Sequence, residues 1–277
     1  MTGWQADLDL AIDAVRRAGT AVMRHFGRPL DVHYKSPAQP LTEADLEADA
    51  LLHEALFGAR PFYGWLSEET LDTADRLDRR RVWIVDPIDG TRSFIAARPE
   101  FTLSVGLAED GEVVVGVVYN PARDELYHAV RGGGAFVERQ GGAPVRLQMS
   151  EDSVDAQGTL LASRTEISAG DFAAFADGWR IEPVGSTAYK LARVAAADGV
   201  AFVSRGPKSE WDICAGVLIV TEAGGSVTDM TGAEPHFNRR DPYVHGIIAA
   251  NRTLHAVLLR RVAELPSRAR PTDQEEP

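Results

Sequence analysis

The chain has 277 residues, of which 44% are hydrophobic and 25% charged, a composition that excludes collagen-like and low-complexity proteins. Its 29 basic and 41 acidic side chains give a formal net charge of −12, which argues against binding to a nucleic acid polymer. The single cysteine, Cys214, excludes an internal disulfide and an iron–sulfur cluster and fits a reducing compartment.

No apolar stretch approaches the roughly 18–20 residues that a membrane-spanning helix needs. The longest ones lie at residues 113–119 and 213–220. The first ten residues hold two aspartates and no basic region, so no signal peptide is predicted. We therefore expect a cytoplasmic protein without membrane insertion.

The first half of the chain predicts two helices followed by a series of strands. Apolar residues recur every three or four positions over 4–26, and Thr42 with Asp45 forms a capping box before a second helix. Residues 81–85 (RVWIV) are typical of a buried strand that ends at Pro87. The other strands are predicted at residues 63–66, 101–107, 112–119, 125–130 and after the glycine-rich segment 131–136.

The second half predicts alternating strands and helices, which is α/β order. The strands are predicted at 158–163, 179–184, 199–204, 225–229 and 247–250, and the helices at 169–178, 187–197, 211–223 and 254–263. A polar stretch at 141–154 suggests a boundary. We therefore predict an α+β subdomain over 1–150 with most metal ligands, an α/β subdomain over 151–265, and a disordered tail over 266–277.

The segment WIVDPIDGT, residues 83–91, carries the clearest chemistry. Asp86 stands at the predicted strand end and Asp89 returns three residues later, with the carbonyl of Ile88 between them. Such oxygens suit Mg²⁺. Gly90 and Thr91 then begin a predicted helix whose free N–H groups could hold an anion. The alternative is an ordinary turn, because Asp-Pro and Asp-Gly are common in loops.

Three further acidic positions strengthen the metal interpretation, and each has a structural alternative. Glu68 follows a short predicted strand, where a solvated acidic pair is an equal explanation. Asp212 begins an apolar helix, where aspartate commonly caps the helix. From spacing alone, Asp45 is better explained by capping than by catalysis.

The segments SEE at 67–69, WIVDPIDGT at 83–91 and WD at 211–212 resemble, in that order, the inositol monophosphatase superfamily. The resemblance runs from about residue 8 to about residue 260. It implies an α/β fold: the layered α-β-α-β-α sandwich of the inositol monophosphatase and fructose-1,6-bisphosphatase type. It also implies a Mg²⁺-dependent, lithium-sensitive phosphatase acting on a small phosphorylated substrate.

The resemblance also implies roles for individual residues. The metal ligands for two or three Mg²⁺ ions would be Glu68, Asp86, the Ile88 carbonyl, Asp89 and Asp212. Gly90 and Thr91 would hold the phosphate through backbone amides, with Ile88, Asp89 and Asp212 also facing the substrate. Thr91 with Asp45 would activate the attacking water, Glu68 would assist catalysis, and Lys35 would lie near the site. Contacts to the body of the substrate are implied for Gly185, Ser186, Thr187 and Lys190.

The choice of branch within the superfamily rests on basic residues. Arg92 follows the metal motif, Lys208 precedes the WD pair, and Arg205 stands where inositol-type enzymes carry a glutamate. This pattern is closer to the 3'(2'),5'-bisphosphate nucleotidase (CysQ-like) branch, whose substrate carries a second phosphate and belongs to sulfur metabolism. We therefore expect hydrolysis of adenosine 3',5'-bisphosphate to AMP and phosphate.

Two alternatives stay open at this point. One is an inositol-1-monophosphatase or related sugar-phosphate phosphatase. The other is a catalytically inactive member of the superfamily that senses a ligand. The sequence leaves open whether the protein is a monomer or a homodimer.

Overall fold

The structure, a computed structural model, describes residues 3–36, 39–150, 158–175 and 178–265. The elements of the first half are α1 (Gln5–His25), β1 (Val32–Ser36), β2 (Gln39–Thr42), α2 (Glu43–Ala59), β3 (Gly64–Ser67), β4 (Arg81–Asp89), α3 (Thr91–Ile95), β5 (Thr102–Glu109), β6 (Glu112–Asn120), β7 (Glu125–Val130), β8 (Gly134–Arg139) and β9 (Val145–Arg146). Those of the second half are β10 (Thr159–Ala162), α4 (Arg164–Ser168), β11 (Arg180–Pro183), α5 (Thr187–Ala195), β12 (Ala201–Ser209), α6 (Glu210–Glu222), β13 (Ser226–Thr228), β14 (Tyr243–Ala250) and α7 (Arg252–Ala263). Short 3₁₀ turns lie at Ala74–Asp78 and Ala173–Phe175.

Two large sheets form the frame of the molecule. The seven-stranded sheet has the order β3-β4-β5-β6-β7-β8-β9 and is antiparallel except for the pair β3–β4. The five-stranded sheet has the order β11-β10-β12-β14-β13, in which β10 runs parallel to both β11 and β12. The hairpin β1–β2 stands apart from both sheets. The parallel pairs bring distant sequence positions together, because the carboxyl ends of neighbouring parallel strands lie beside one another.

Helices cover both faces of each sheet. Helices α1 and α2 pack on the outer face of the seven-stranded sheet, α5 and α6 lie between the sheets, and α4 and α7 cover the outer face of the five-stranded sheet. Separate hydrophobic clusters fill these interfaces, the largest around α5 and α6. The predicted α/β sandwich of five alternating layers is confirmed.

Helix α6 is buried on all sides between the two sheets. Residues 213–220 are all buried, as an apolar helix with two covered faces requires. Two strand glycines let the helix approach the sheet closely. A Cβ atom at Gly116 would lie 2.6 Å from the carbonyl oxygen of Ala215, and one at Gly106 would overlap the Cys214 side chain. Cys214 is itself buried, as its place in the apolar helix predicts.

Two of the predicted elements are wrong. Strand β4 does not stop at Pro87 but continues to Asp89, because a break in its register against β5 between Asp86 and Asp89 removes the need for a ladder donor at the proline. The helix predicted over 169–178 is replaced by α4, which begins earlier, and by a 3₁₀ turn. Gly170 and Gly178 adopt positive φ angles of 80° and 95°, which an α-helix cannot accommodate.

The other predicted helices and strands lie within a few residues of their predicted places, and the short strands β1, β2 and β9 are not among the predicted elements. The division at 150 into two subdomains stays a prediction. The tail predicted to be disordered, 266–277, lies outside the described residues. Among the described residues, no helix has the length and apolar character needed to cross a membrane.

We predict that Gly116→Ala destabilises the fold, because the added methyl group meets helix backbone that cannot turn away. The free energy of unfolding should fall by about 1–3 kcal/mol, the scale of overpacking in a core. Gly58→Ala is the matched control, because a Cβ atom there has no neighbour within 4 Å. It lies in helix α2, where alanine gains up to about 1 kcal/mol over glycine. Chemical denaturation should therefore show a lower free energy of unfolding for Gly116→Ala and a higher one for Gly58→Ala. Equal effects would contradict the close approach of α6.

Candidate active site

The candidate site begins where the parallel strands β3 and β4 end. Ser67 pairs with Val85 in the sheet, and the N–H of Glu68 donates to the carbonyl of Val85 at 3.2 Å. Asp86 is the next residue of β4. The parallel register therefore places Glu68 and Asp86 side by side at one edge of the sheet, which is why two distant sequence positions converge.

Asp212 joins this pair from the first turn of α6. Ligand oxygens of Glu68, Asp86 and Asp212 lie within 4.8 Å of one another. Asp212 also accepts a hydrogen bond from the N–H of Ser209 at 3.1 Å and so closes a capping box. The Asp212 side chain therefore caps α6 and also belongs to the carboxylate cluster.

The three carboxylates repel one another, with Asp86 buried and Glu68 and Asp212 half-buried. Burial, reinforced by the charges of Glu68, Asp89 and Asp212, raises the pKa of Asp86 well above its ordinary value. Burial and the charges of Asp89 and Glu68 raise the pKa of Asp212 to about 8. Asp86 Oδ1 is buried and has no hydrogen-bond partner among the described residues. A buried carboxylate oxygen without a donor, beside two further carboxylates, is a suitable ligand set for a hard divalent cation.

Asp89 lies on the same edge but is held from another direction. Its Oδ2 accepts hydrogen bonds from Ser186 Oγ at 2.7 Å and from the N–H of Ala188 at 2.6 Å. Burial raises its pKa against the opposing effect of the Ser186 bond. These two donors use one carboxylate oxygen and fix the orientation of the other.

Thr91 connects the cavity to Asp45. Its Oγ1 lies 3.1 Å from Asp45 Oδ1 and 3.0 Å from the Ile88 carbonyl oxygen. Asp45 Oδ2 accepts from the N–H and the hydroxyl of Thr42, so Asp45 caps α2 with one oxygen and faces Thr91 with the other. Burial raises the pKa of Asp45, which makes its carboxylate a stronger base than an exposed aspartate.

These groups line one cavity of about 390 Å³. Of the residues singled out in the sequence, it is lined by Glu68, Asp86, Ile88, Asp89, Gly90, Thr91, Arg92, Gly185, Ser186, Thr187, Lys190, Lys208 and Asp212. Asp45 lies behind Thr91. Lys35 holds Glu68 and Glu69 together, with its Nζ 2.9 Å from Glu68 Oε1.

Arg205 is not brought to this cavity. It lies in β12 at a break in the register between Ser204 and Pro207, and its N–H donates to Glu166 Oε1 at 3.1 Å. The bulge turns the backbone of this position toward Glu166. The expected contact between Arg205 and a remote phosphate therefore stays a prediction.

The structure adds cavity residues that the sequence analysis missed. Arg98 and Arg164 line the cavity, together with Ser163 and Thr165. Ser163, Arg164 and Thr165 follow the carboxyl end of β10, next to the segment after β11 that contains Ser186. Polar residues at the ends of adjacent parallel strands are a signal for a binding site, but the sequence alone did not show which strands were adjacent.

The comparisons with known proteins agree with this geometry. A sequence profile of the inositol monophosphatase family matches residues 4–267. The chain belongs to this family. An inositol-1-monophosphatase of Mesorhizobium japonicum is 36% identical over 267 residues, covering 92% of this chain and 95% of the relative.

Solved structures of the family share the fold. The suhB protein of Bartonella henselae superposes with a TM-score of 0.82 at 31% identity, covering 94% of this chain and 99% of that one. CysQ of Bacteroides thetaiotaomicron superposes with a TM-score of 0.76 at 28% identity, covering 91% and 99%. The predicted family is confirmed, and the chain is a phosphatase of this family.

We predict that Asp86→Asn stabilises the metal-free protein and abolishes stabilisation by Mg²⁺. The ligand oxygens lie within 4.8 Å of one another, and like charges at that distance repel by about 3 kcal/mol at an effective dielectric of 20, so removing one should recover at least about 1 kcal/mol. Thermal unfolding in chelator should show a higher Tm than the wild type, and added MgCl₂ should no longer raise it. Asp13→Asn removes an equal charge from an exposed position and should do neither. A Mg²⁺-induced rise in Tm that survives in Asp86→Asn would remove Asp86 from the ligand set.

Proposed function

We propose that this protein is a Mg²⁺-dependent phosphomonoesterase whose substrate is inositol-1-phosphate or a closely related polyol phosphate. The observation that carries the proposal is the cluster of Glu68, Asp86 and Asp212, with the unpartnered Asp86 Oδ1, at the edge of a cavity of about 390 Å³. Relatives named inositol-1-monophosphatase, matched over nearly the whole chain, support the substrate class.

The chain's own residues suit two or three Mg²⁺ ions. Glu68, Asp86, Asp89, Asp212 and the carbonyl of Ile88 would hold them. When bound, Mg²⁺ supplies charge neutralisation for the phosphate and lowers the pKa of a coordinated water. Without such cations, a site with four carboxylates in a chain of net charge −12 would repel a phosphate ester.

The catalytic residues then have separate tasks. Gly90 and Thr91 lie at the start of α3, where the first N–H groups of a helix have no partner within the helix and can donate to phosphate oxygens. Thr91 Oγ1 accepts the proton of the attacking water and passes its own proton to Asp45. Because burial raises the pKa of Asp45, its carboxylate takes up this proton more readily than an exposed aspartate would.

A bisphosphorylated substrate is the second candidate. Arg92, Arg98, Arg164 and Lys208 line the same cavity, so it could hold a second anionic group. Arg164 already pairs with Glu100, its NH2 group 3.0 Å from Glu100 Oε1. We favour the polyol phosphate because relatives matched over nearly the whole chain are named inositol-1-monophosphatase.

We predict that phosphate is released from inositol-1-phosphate in Mg²⁺ and not in excess chelator. A side-by-side assay with adenosine 3',5'-bisphosphate should give the lower kcat/KM. Ca²⁺ should suppress turnover because it prefers longer bonds and more ligands, and Li⁺ should suppress it if the resemblance extends to lithium sensitivity. Preference for the bisphosphate would restore the nucleotidase hypothesis, and absence of turnover on both would favour the ligand sensor.

We predict that Thr91→Val lowers kcat by about 10²–10⁴-fold, the range for losing a group that moves a proton. Valine keeps the shape but has no hydroxyl between the water and Asp45. Thr91→Ser is the matched control, since it keeps the hydroxyl and should remain within about tenfold of the wild type. Steady-state kinetics at saturating Mg²⁺ would check both. Similar losses in the two variants would assign Thr91 a packing role.

A further inference from the structure

Lys190 is a buried cation whose partners are backbone carbonyls. It lies in α5 with only 2% of its surface exposed. Its Nζ donates to the carbonyl of Ser186 at 2.6 Å and to that of Val184 at 3.2 Å, and it lies 5.1 Å from the centre of the Phe202 ring. No carboxylate of the described residues forms an ion pair with it. Its bonds are therefore made to a turn rather than to another side chain.

That turn is strained and tightly confined. Ser186 has φ 59° and ψ 129°, a conformation that residues with a side chain rarely adopt. Gly185 has no room for a Cβ atom, which would lie 2.6 Å from the carbonyl oxygen of Glu100. The N–H of Gly185 donates to Glu100 Oε2 at 2.8 Å. Lys190 thus holds the carbonyls on either side of Gly185 while Glu100 holds its N–H.

The strained turn determines where Asp89 points. Ser186 Oγ and the N–H of Ala188 both donate to Asp89 Oδ2. If the turn relaxed, these donors would leave, and Asp89 would lose the orientation that directs its second oxygen. A chain of contacts therefore runs from Lys190 through Ser186 to Asp89.

We propose that Lys190 is a positioning residue, which holds the turn at 184–186 and through it orients Asp89 for cation binding. The proposal rests on the proposed function and departs from the expectation that Lys190 contacts the substrate body. It also predicts a change in cation affinity opposite in direction to the change expected from losing the Lys190 charge alone. Lys190 acts electrostatically on Asp89 and Asp212, so removal of its charge would by Coulomb's law tighten the binding of a divalent cation. Loss of positioning would weaken it.

The test is Mg²⁺ binding by isothermal titration calorimetry, with no substrate present. Lys190→Met should raise the Kd for Mg²⁺ by about ten- to a hundredfold, as the loss of a group that orients a ligand does. Arg193→Met removes a cation from the same helix, but Arg193 bonds to Glu182 and the Asp198 carbonyl instead of the turn. It should change the Kd by less than about twofold.

A double substitution tests the route. If Lys190 acts through Ser186, then Lys190→Met with Ser186→Ala should bind Mg²⁺ no more weakly than the weaker single variant, whereas independent effects would add. Additive losses, an unchanged Kd or a tighter Kd in Lys190→Met would each overturn the proposal. If Lys190→Met does not unfold cooperatively, Lys190→Leu takes its place under the same criteria, since leucine also lacks both the donor and the charge.

The result is separable from the proposed function. Wild-type protein that binds Mg²⁺ but releases no phosphate from either ester would contradict the phosphatase proposal, and the calorimetric comparison would still test Lys190. Wild-type turnover with an unchanged Kd in Lys190→Met would contradict only the role of Lys190.

Discussion

The burial of helix α6 between two sheets is the constraint on which the rest of the structure depends. Its apolar residues leave it no exposed face, so it must lie between two apolar surfaces, and the glycines at 106 and 116 let it lie close to one of them. Its polar first turn is then the part that reaches the edge of the layers. Asp212 is carried there, beside the ends of β3 and β4, and the site contains residues from both sheets as a result.

The carboxylates gathered at that edge oppose the stability of the metal-free chain. Burial and the charges of neighbouring carboxylates raise the pKa values of Asp86 and Asp212. The network around them holds the groups in place and neutralises only part of their charge. Lys35 bonds to Glu68 and Glu69, while Ser186 and Ala188 hold Asp89. Asp86 Oδ1 still has no hydrogen-bond partner among the described residues, so a divalent cation bound there would serve stability and function together.

The sequence predicts the local parts of this site better than the parts that depend on strand order. Asp86 and Asp89 are three residues apart in one motif, so their proximity follows from the chain itself. Their meeting with Glu68 and Asp212 depends on which strands are neighbours, and that came from the resemblance to a family.

Tertiary features account for what local sequence patterns do not show. Arg205 lies at a bulge, and its backbone N–H donates to Glu166. From the local sequence, Pro87 is expected to end a strand, but it is accommodated where the register between β4 and β5 breaks. In the segment 169–178, Phe172 and Phe175 are buried three residues apart. That spacing suits a 3₁₀ turn between glycines as well as it suits an α-helix.

The placement of the strand ends has a consequence for how such proteins diverge. Glu68, Asp86 and Asp89 come from one sheet, whereas Ser163–Thr165 and the turn at 184–186 follow strands of the other. Substitutions after β10 can therefore reshape the wall of the cavity without moving Glu68, Asp86 or Asp89, whereas the turn after β11 holds Asp89 and is less free to change. Related proteins that share a reaction can accordingly differ in their substrates.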